Sequence, residues 1–216
     1  MTRKDIAILG GTFDPVHIGH YEIVKYFIVN YIVDEVWVLP SYNSPHKSID
    51  TIKSYSDRVN MLKIEFQGID GVIINTFEEE YSKNTSEKTY TYEVLNAMKK
   101  KYLNCRFHFV VGFDSIKNIN TWHKYKELIS EFWFYVFDRA DSEFKTLEQK
   151  KNYLDNLGKN QNINFFYELL NIQITDISST YIRDLLKDYK KNILEINKYL
   201  NKNVLNYIIN NNLYGT

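Results

Sequence analysis

The sequence has 216 residues, with 27 lysines and arginines against 27 aspartates and glutamates, so its formal net charge is zero. That balance argues against a nucleic-acid partner, which selects for a basic face and a high pI, yet leaves room for a small anion held by a local cluster of cations. The length suits a single domain over 1–216. No run of about 20 apolar residues occurs, so no membrane span is expected. The single Cys105 precludes an intramolecular disulfide and suits a reducing compartment. The opening residues lack the apolar stretch of a signal peptide, so a cytoplasmic protein is expected, with a nuclear one also compatible.

Taken in order, the chain alternates short apolar runs with helical segments. Strands are expected at 6–9, 36–39, 72–76, 107–111 and 132–137, with a weaker one near 170–175. These are continuous apolar runs, the pattern of strands buried on both faces. Helices are expected at 20–30, 54–66, 90–102, 122–130, 179–187 and 203–211. Lys99, Lys100 and Lys101 close the third, where cations complement the helix dipole; the run reads as a solvated helix end and not as a nuclear signal. Alternation of this kind implies right-handed crossovers. The expected fold is α/β: a Rossmann-like, open, mainly parallel sheet with helices on both faces and a helical C-terminal segment. The polar stretch 138–161 is expected to be a mobile excursion. Such sheets bind ligands beyond the carboxyl ends of their strands, so the residues following each strand carry the functional information.

The rare residue types collect there. Gly10, Gly11 and Gly19, the three prolines (Pro15, Pro40 and Pro45) and three of the five histidines (His17, His20 and His46) fall within the first 46 positions. Strand one runs into Gly10-Gly11-Thr12-Phe13-Asp14-Pro15-Val16-His17-Ile18-Gly19-His20. Paired glycines permit a sharp turn and close approach of backbone to a ligand. His17 and His20, three apart, share a face in a helical first turn, where orphan N–H groups also favour an anion. A zinc pair would need further ligands, and no cysteine cluster or third histidine follows nearby. G-x-G-x-x-G is absent, which excludes the dinucleotide fingerprint. Far downstream, Ile177-Ser178-Ser179-Thr180-Tyr181-Ile182-Arg183 offers hydroxyls to cap a helix beginning near Ser179 and a guanidinium on the same face, the makings of a phosphate cradle.

Together, Gly11-x-Phe13-Asp14-Pro15-x-His17-x-Gly19-His20 and Ile177-Ser178-Ser179-Thr180-x-x-Arg183 resemble the two signatures of the nucleotidyltransferase superfamily, whose members attack the α-phosphate of a nucleoside triphosphate and release pyrophosphate. Ser41-x-Asn43-x-Pro45-His46-Lys47 resembles the substrate loop of bacterial-type nicotinate-nucleotide adenylyltransferases. Thr89-Tyr90-Thr91 before Leu95, Gly112-x-Asp114 followed by Trp122, and the ending Tyr207-Ile208 through Leu213-Tyr214 resemble that family too. The likeness spans essentially the whole chain. Three departures fall in the acceptor region: Phe113 where a small residue is usual, Val94 where threonine is common, and Ala140 after Arg139 in place of Pro-Gly.

The resemblance implies ATP and a pyridine mononucleotide as partners, Mg²⁺ carried in with the ATP, and no metal held by the protein; it leaves a homo-oligomer open. It implies catalytic roles for His20 and His17 at the α- and β-phosphates. Gly10, Gly11, Thr12, Phe13, Ile177, Ser179, Thr180 and Arg183 would complete the ATP site. Asn43, Lys47, Thr89, Tyr90, Gly112, Asp114, Trp122 and Arg139 would take the acceptor, with Trp122 stacking on the pyridine.

The acceptor's phosphate is already mostly dianionic at neutral pH and needs no general base. It needs in-line placement and relief from anion–anion repulsion. Orphan N–H groups at the helix start near Tyr90 suit a ring carboxylate, so the nicotinate acceptor is expected over its amide. Other readings are the amide mononucleotide, or another acceptor such as phosphopantetheine or a sugar or lipid phosphate. His17-Ile18-Gly19-His20 also spells the class I aminoacyl-tRNA synthetase signature, but the chain leaves little room for a lysine-serine loop or a tRNA-binding domain. A nucleotide sensor without turnover is the remaining contrast, and pyrophosphate release separates it.

Overall fold

The computed structural model describes residues 3–42, 52–85, 89–138, 143–159, 162–172 and 174–216. Six strands form one sheet: β1 (Lys4–Gly11), β2 (Glu35–Pro40), β3 (Val72–Ile74), β4 (Cys105–Gly112), β5 (Trp133–Phe137) and β6 (Tyr167–Leu170). Their order is β3-β2-β1-β4-β5-β6 and every pairing is parallel. The helices are α1 (Ile18–Val29), α2 (Tyr55–Glu65), α3 (Phe77–Thr85), α4 (Thr91–Lys101), α5 (Phe113–Ile116), α6 (Tyr125–Glu131), α7 (Leu147–Lys159), α8 (Ser179–Leu186), α9 (Tyr189–Tyr199) and α10 (Lys202–Asn210).

Alternate strand residues serve opposite faces. Ala7, Leu9, Val36, Val38 and Val110 enter a core shared with α1, α2, α8, α9 and α10. Ile6, Ile8, Trp37, Leu39 and Phe109 enter a second core, closed by α3 to α7. In α1, Ile23, Val24 and Phe27 recur at helical spacing and are buried; the left-handed Tyr31, φ 50°, turns the chain just beyond that helix. From β1 the chain winds outward to β3, then returns to β4 on the other side of β1. That reversal leaves a crevice between the carboxyl ends of β1 and β4, at Gly11 and Gly112, where a doubly wound sheet takes its ligand.

The α/β, doubly covered parallel sheet matches the sequence expectation, with corrections to individual strands and helices; α3, α5 and α9 are not among the expected helices. The last strand is Tyr167–Leu170 and overlaps the expected 170–175 only at Leu170. The apolar residues beyond it misled: Ile172 and Ile174 pack on the first core as the chain leaves the sheet. The helix expected from Trp122 starts at Tyr125, because Trp122 closes a 3-10 turn (Ile119–Thr121) and Lys124 is left-handed, φ 51°. The stretch 138–161, expected to be a mobile excursion from its polar, Lys- and Asn-rich composition, instead contains α7. Lys150 is 3% exposed, its ammonium paired with Asp138 and placed over the Phe113 ring.

Glu65, at the end of α2, is 7% exposed, and its Oε2 has no partner among the described residues. Burial pushes its carboxyl up to about 7, against the opposing hydrogen bond from Asn201 ahead of α10. The folded state therefore holds a proton that the unfolded chain releases near its ordinary value of about 4.3. Stability from this group is complete below that value and is lost as pH rises toward 7. Glu65→Gln should raise stability by about 1–2 kcal/mol at pH 8, discounted for screening, and change it little at pH 5. Denaturant melts at the two pH values check this; an equal effect at both would place the origin in packing.

Candidate active site

Between β1 and α1 the backbone is forced. Phe13 has φ 51°, a left-handed conformation that a bulky L-residue adopts at a cost of about 1–3 kcal/mol. The Asp14–Pro15 bond is cis. A Cβ on Gly11 would stand 2.9 Å from the Phe13 ring, so only glycine lets the loop fold over the strand end. The loop's carbonyls are held from outside. Arg58 Nη1 donates to the Thr12 carbonyl (2.7 Å), Arg183 Nη1 to that of Asp14 (2.8 Å), and Ser179 Oγ to that of Pro15 (2.9 Å). The Asp14 carboxylate, 2% exposed, accepts from the Tyr214 hydroxyl at 2.6 Å and from the Lys53 N–H at 3.3 Å. Burial and the neighbouring Asp14 charge push the Tyr214 phenol far above its ordinary pKa, so it remains a donor.

This loop delivers the histidines. His17 is the N-cap of α1, and its N–H donates to His20 Nδ1 at 3.2 Å. An accepting Nδ1 leaves the proton of the neutral ring on Nε2, so His20 is a donor at its outer edge. The two rings stack with centroids 3.7 Å apart, and Phe13 meets His20 edge-on at 4.9 Å. Both histidines line a cavity of about 350 Å³ with Thr12, Ile177, Thr180 and Arg183. The helix α8 on its far wall is capped by Ser178, which accepts from the Tyr181 N–H. The helix begins at Ser179 behind a serine cap, as the sequence led one to expect; the Ser179 hydroxyl itself turns to the Pro15 carbonyl. Arg183 Nη2 donates to Thr180 Oγ1 at 3.1 Å, and the guanidinium stays 30% exposed toward the cavity. Among the described residues, the open Arg183 guanidinium, imidazole N–H groups and two helix N-termini make this a cavity for an anion.

A second cavity of about 250 Å³ adjoins the first across Gly10, Thr12, Phe109 and Trp122, which line both. Its walls include Thr89, Tyr90 and Thr91 at the start of α4, with Glu78 and His123. Thr89 Oγ1 donates to Glu78 Oε1 at 2.5 Å, and the Tyr42 N–H donates to the same oxygen at 2.9 Å. Tyr90 and His123 lie ring over ring at 4.4 Å, and Trp122 meets Phe109 edge-on at 6.1 Å.

The residues singled out from sequence therefore divide between two chambers. His17, His20, Phe13, Ile177, Ser179, Thr180 and Arg183 line the first; Gly112 and Asp114 line it with them. Gly11, Thr89 and Tyr90 line the second. Asn43, Lys47 and Arg139, with Pro45, His46 and Ala140, lie outside the described residues. A Cβ on Gly112 would meet Asp114 Oδ1, so with glycine there the Asp114 carboxylate can fold close over the end of β4. Phe113 turns away from both cavities and is fully buried against Phe144 (5.5 Å) and Tyr153 (5.7 Å). Val94 lines the second cavity. Sequence reading missed Arg58, Glu78, Phe109, His123 and Tyr214. Arg58 is one of only five arginines and could have been flagged by rarity; the others carry no local signal.

Residues 8–185 match the cytidylyltransferase-like family. A Borreliella burgdorferi protein named probable nicotinate-nucleotide adenylyltransferase is 32% identical over 97% of this chain and 96% of its own length. A Clostridium kluyveri protein of the same name is 30% identical over 99% of this chain and all of its own. Among solved structures, Plasmodium falciparum nicotinic acid mononucleotide adenylyltransferase complexed with NaAD superposes with a TM-score of 0.79 at 28% identity, covering 98% of this chain and 97% of that one. Likeness over nearly the full length, in sequence and in fold alike, shows that the chain belongs to the cytidylyltransferase-like family and, within it, to the nicotinate-nucleotide adenylyltransferases.

Proposed function

We propose that this chain transfers the adenylyl group of ATP to nicotinate mononucleotide, giving nicotinate adenine dinucleotide and pyrophosphate, a step of NAD biosynthesis. The observation that carries the reading is the junction of an anion cavity and an acceptor cavity over Gly10 and Thr12. The triphosphate lies in the first, the pyridine nucleotide in the second, and the acceptor's phosphate meets the α-phosphorus at the junction. The NaAD in the Plasmodium falciparum structure supports the same pairing of substrates.

An oxygen of the acceptor phosphate forms the new bond to the α-phosphorus as the bond to the β-phosphate oxygen breaks, and that electron pair leaves with pyrophosphate. His20 Nε2–H donates to the α-phosphate as its charge develops. His17, Arg183 and the N-termini of α1 and α8 hold the leaving group. The metal arrives on the substrate as Mg-ATP; among the described residues no group of three or more His, Cys, Asp or Glu is placed to hold an ion. Trp122 offers a ring face to the pyridine. A cytoplasmic place of work suits the free thiol of Cys105.

At the ring substituent, Thr89 has committed its only proton to Glu78, so its hydroxyl cannot donate to a carboxylate. Backbone N–H groups of the first turn of α4, whose N-cap Tyr90 makes no side-chain cap, remain as donors beside the side chains of Ser41, Tyr90, Thr91, Trp122 and His123 that line the same cavity. A carboxylate satisfies them; an amide turns its NH₂ toward other donors.

Three outcomes are expected. Nicotinate mononucleotide should exceed its amide by about 5- to 150-fold in kcat/KM, the equivalent of about 1–3 kcal/mol for an unsatisfied buried pair. Pyrophosphate release from Mg-ATP measures it, and silence with both nucleotides defeats the proposal. His20→Ala should lower kcat about 10²–10³-fold with KM little changed; activity within a few-fold of the parent removes His20 as the donor. Arg183→Ala should raise the KM for ATP and also lower kcat, since the same guanidinium holds the Asp14 carbonyl. Arg183→Lys should not restore both, because an ammonium lacks the planar fork. A defect confined to the pyridine substrate would refute that placement.

A further inference from the structure

We propose that Tyr214 is a positioning residue for adenylyl transfer, acting through Asp14 on the loop that presents His17 and His20. The inference rests on the adenylyl-transfer reading and adds to it a residue that lines neither cavity. Tyr214 sits in the 3-10 turn Leu213–Gly215 with φ 61°, so its own backbone is left-handed and non-glycine. It is 8% exposed, and its hydroxyl donates to Asp14 Oδ1 at 2.6 Å across 200 residues of chain. That bond joins two strained positions, because Phe13 immediately precedes Asp14. A phenylalanine would fill the same space, so packing alone does not call for the hydroxyl.

The remaining contacts of the Asp14 carboxylate are weaker: the Lys53 N–H at 3.3 Å and Arg183 Nη1 at 3.9 Å from Oδ2. Asp14 stands three positions before His17, whose N–H sets the His20 tautomer. The same C-terminal segment also braces the other support of the loop. Tyr207 donates to Asp57 (2.9 Å) and accepts from Asn60 (3.0 Å), the residues of α2 that flank Arg58, and Arg58 holds the Thr12 carbonyl. Lys53 Nζ lies over the Tyr214 ring at 5.5 Å, closing the contact from the α2 side. The loop is thus braced by the C-terminal segment of the chain.

Steady-state kinetics on Tyr214→Phe, Asp14→Asn, the double variant and Thr216→Ala tests this, at a temperature where circular dichroism shows each variant folded. Thr216 is in the adjoining position, bonded to the Leu213 carbonyl at 3.0 Å and away from Asp14, so it controls for loosening of the terminal turn. Tyr214→Phe should lower kcat by about 10-fold or more, since a small misplacement of reacting groups can cost about 10²-fold. KM for both substrates, and the calorimetric Kd for ATP, should stay within about twofold, since the proposed binding contacts with either substrate remain in place. The double variant should be no slower than the worse single variant, because both break one link. Thr216→Ala should keep the parent kcat. An unchanged kcat in Tyr214→Phe, an additive double variant, or an equal loss in Thr216→Ala overturns the proposal while the parent enzyme still turns over. A parent that releases no pyrophosphate overturns the adenylyl-transfer reading and this proposal with it.

Discussion

The left-handed backbone at Phe13 is the constraint on which the site depends. It brings the chain out of β1, over Gly11 and into the N-cap of α1 within six residues, and so sets where His17 and His20 stand. Its cost of about 1–3 kcal/mol is offset by bonds from outside the loop. Two of the three donors to its carbonyls are guanidinium groups, and such charged bonds contribute about 1.5–3 kcal/mol each. Those donors come from α2 and α8, far apart in sequence. The histidine geometry therefore exists only when both helices are docked on the first core.

Zero net charge is compatible with an anion site because the charges are sorted. At the amino ends of the strands the charges close on one another. Arg106 and His108 beside Asp5 hold its carboxyl down to about 2, and Lys4 pairs with Glu35. Exposed pairs such as Lys101–Glu80 and Lys198–Glu195 contribute little to stability and leave little net field. At the carboxyl ends, Arg183, the imidazoles and the starts of α1 and α8 face the first cavity, where Asp114 is the one acid among the described lining residues. The field is local, as a triphosphate needs.

The second cavity follows a different logic. A carboxylate, Glu78, stands in its wall, yet its Oε1 is occupied by Thr89 and by the Tyr42 N–H. This ties the exit of β2 to the entrance of α4 across the pocket and removes a hydroxyl donor from it. Backbone N–H groups at the start of α4, which are fixed in place, remain in the same wall beside the side chains of Ser41, Thr91 and His123. Phe113, the departure that threatened this pocket, is absorbed by an aromatic cluster with Phe144 and Tyr153 on the opposite side. Its bulk anchors α7 and leaves the pocket alone.

Local chemistry was legible from the residues themselves. Glycine pairs, the Pro15 turn, histidines at helical spacing and the Ser-Ser-Thr run before Arg183 report backbone geometry and ligand type within a few positions, because those effects are short-ranged. Continuous apolar runs reported a sheet buried on both faces, and so the parallel α/β fold. The sequence could not report which side chains meet across distance. Arg58 reaching Thr12, Ser179 turning to Pro15 and Tyr214 reaching Asp14 each depend on helices packed by nondirectional apolar contacts, whose partners leave no pattern in the chain. The polar, Lys- and Asn-rich composition of 138–161 hid α7, because only the folded Asp138 and Phe113 make a buried Lys150 tolerable there. Residue type decided what the site could bind; tertiary packing alone decided how its loop was held, because hydrogen-bond geometry exists only after the cores have closed.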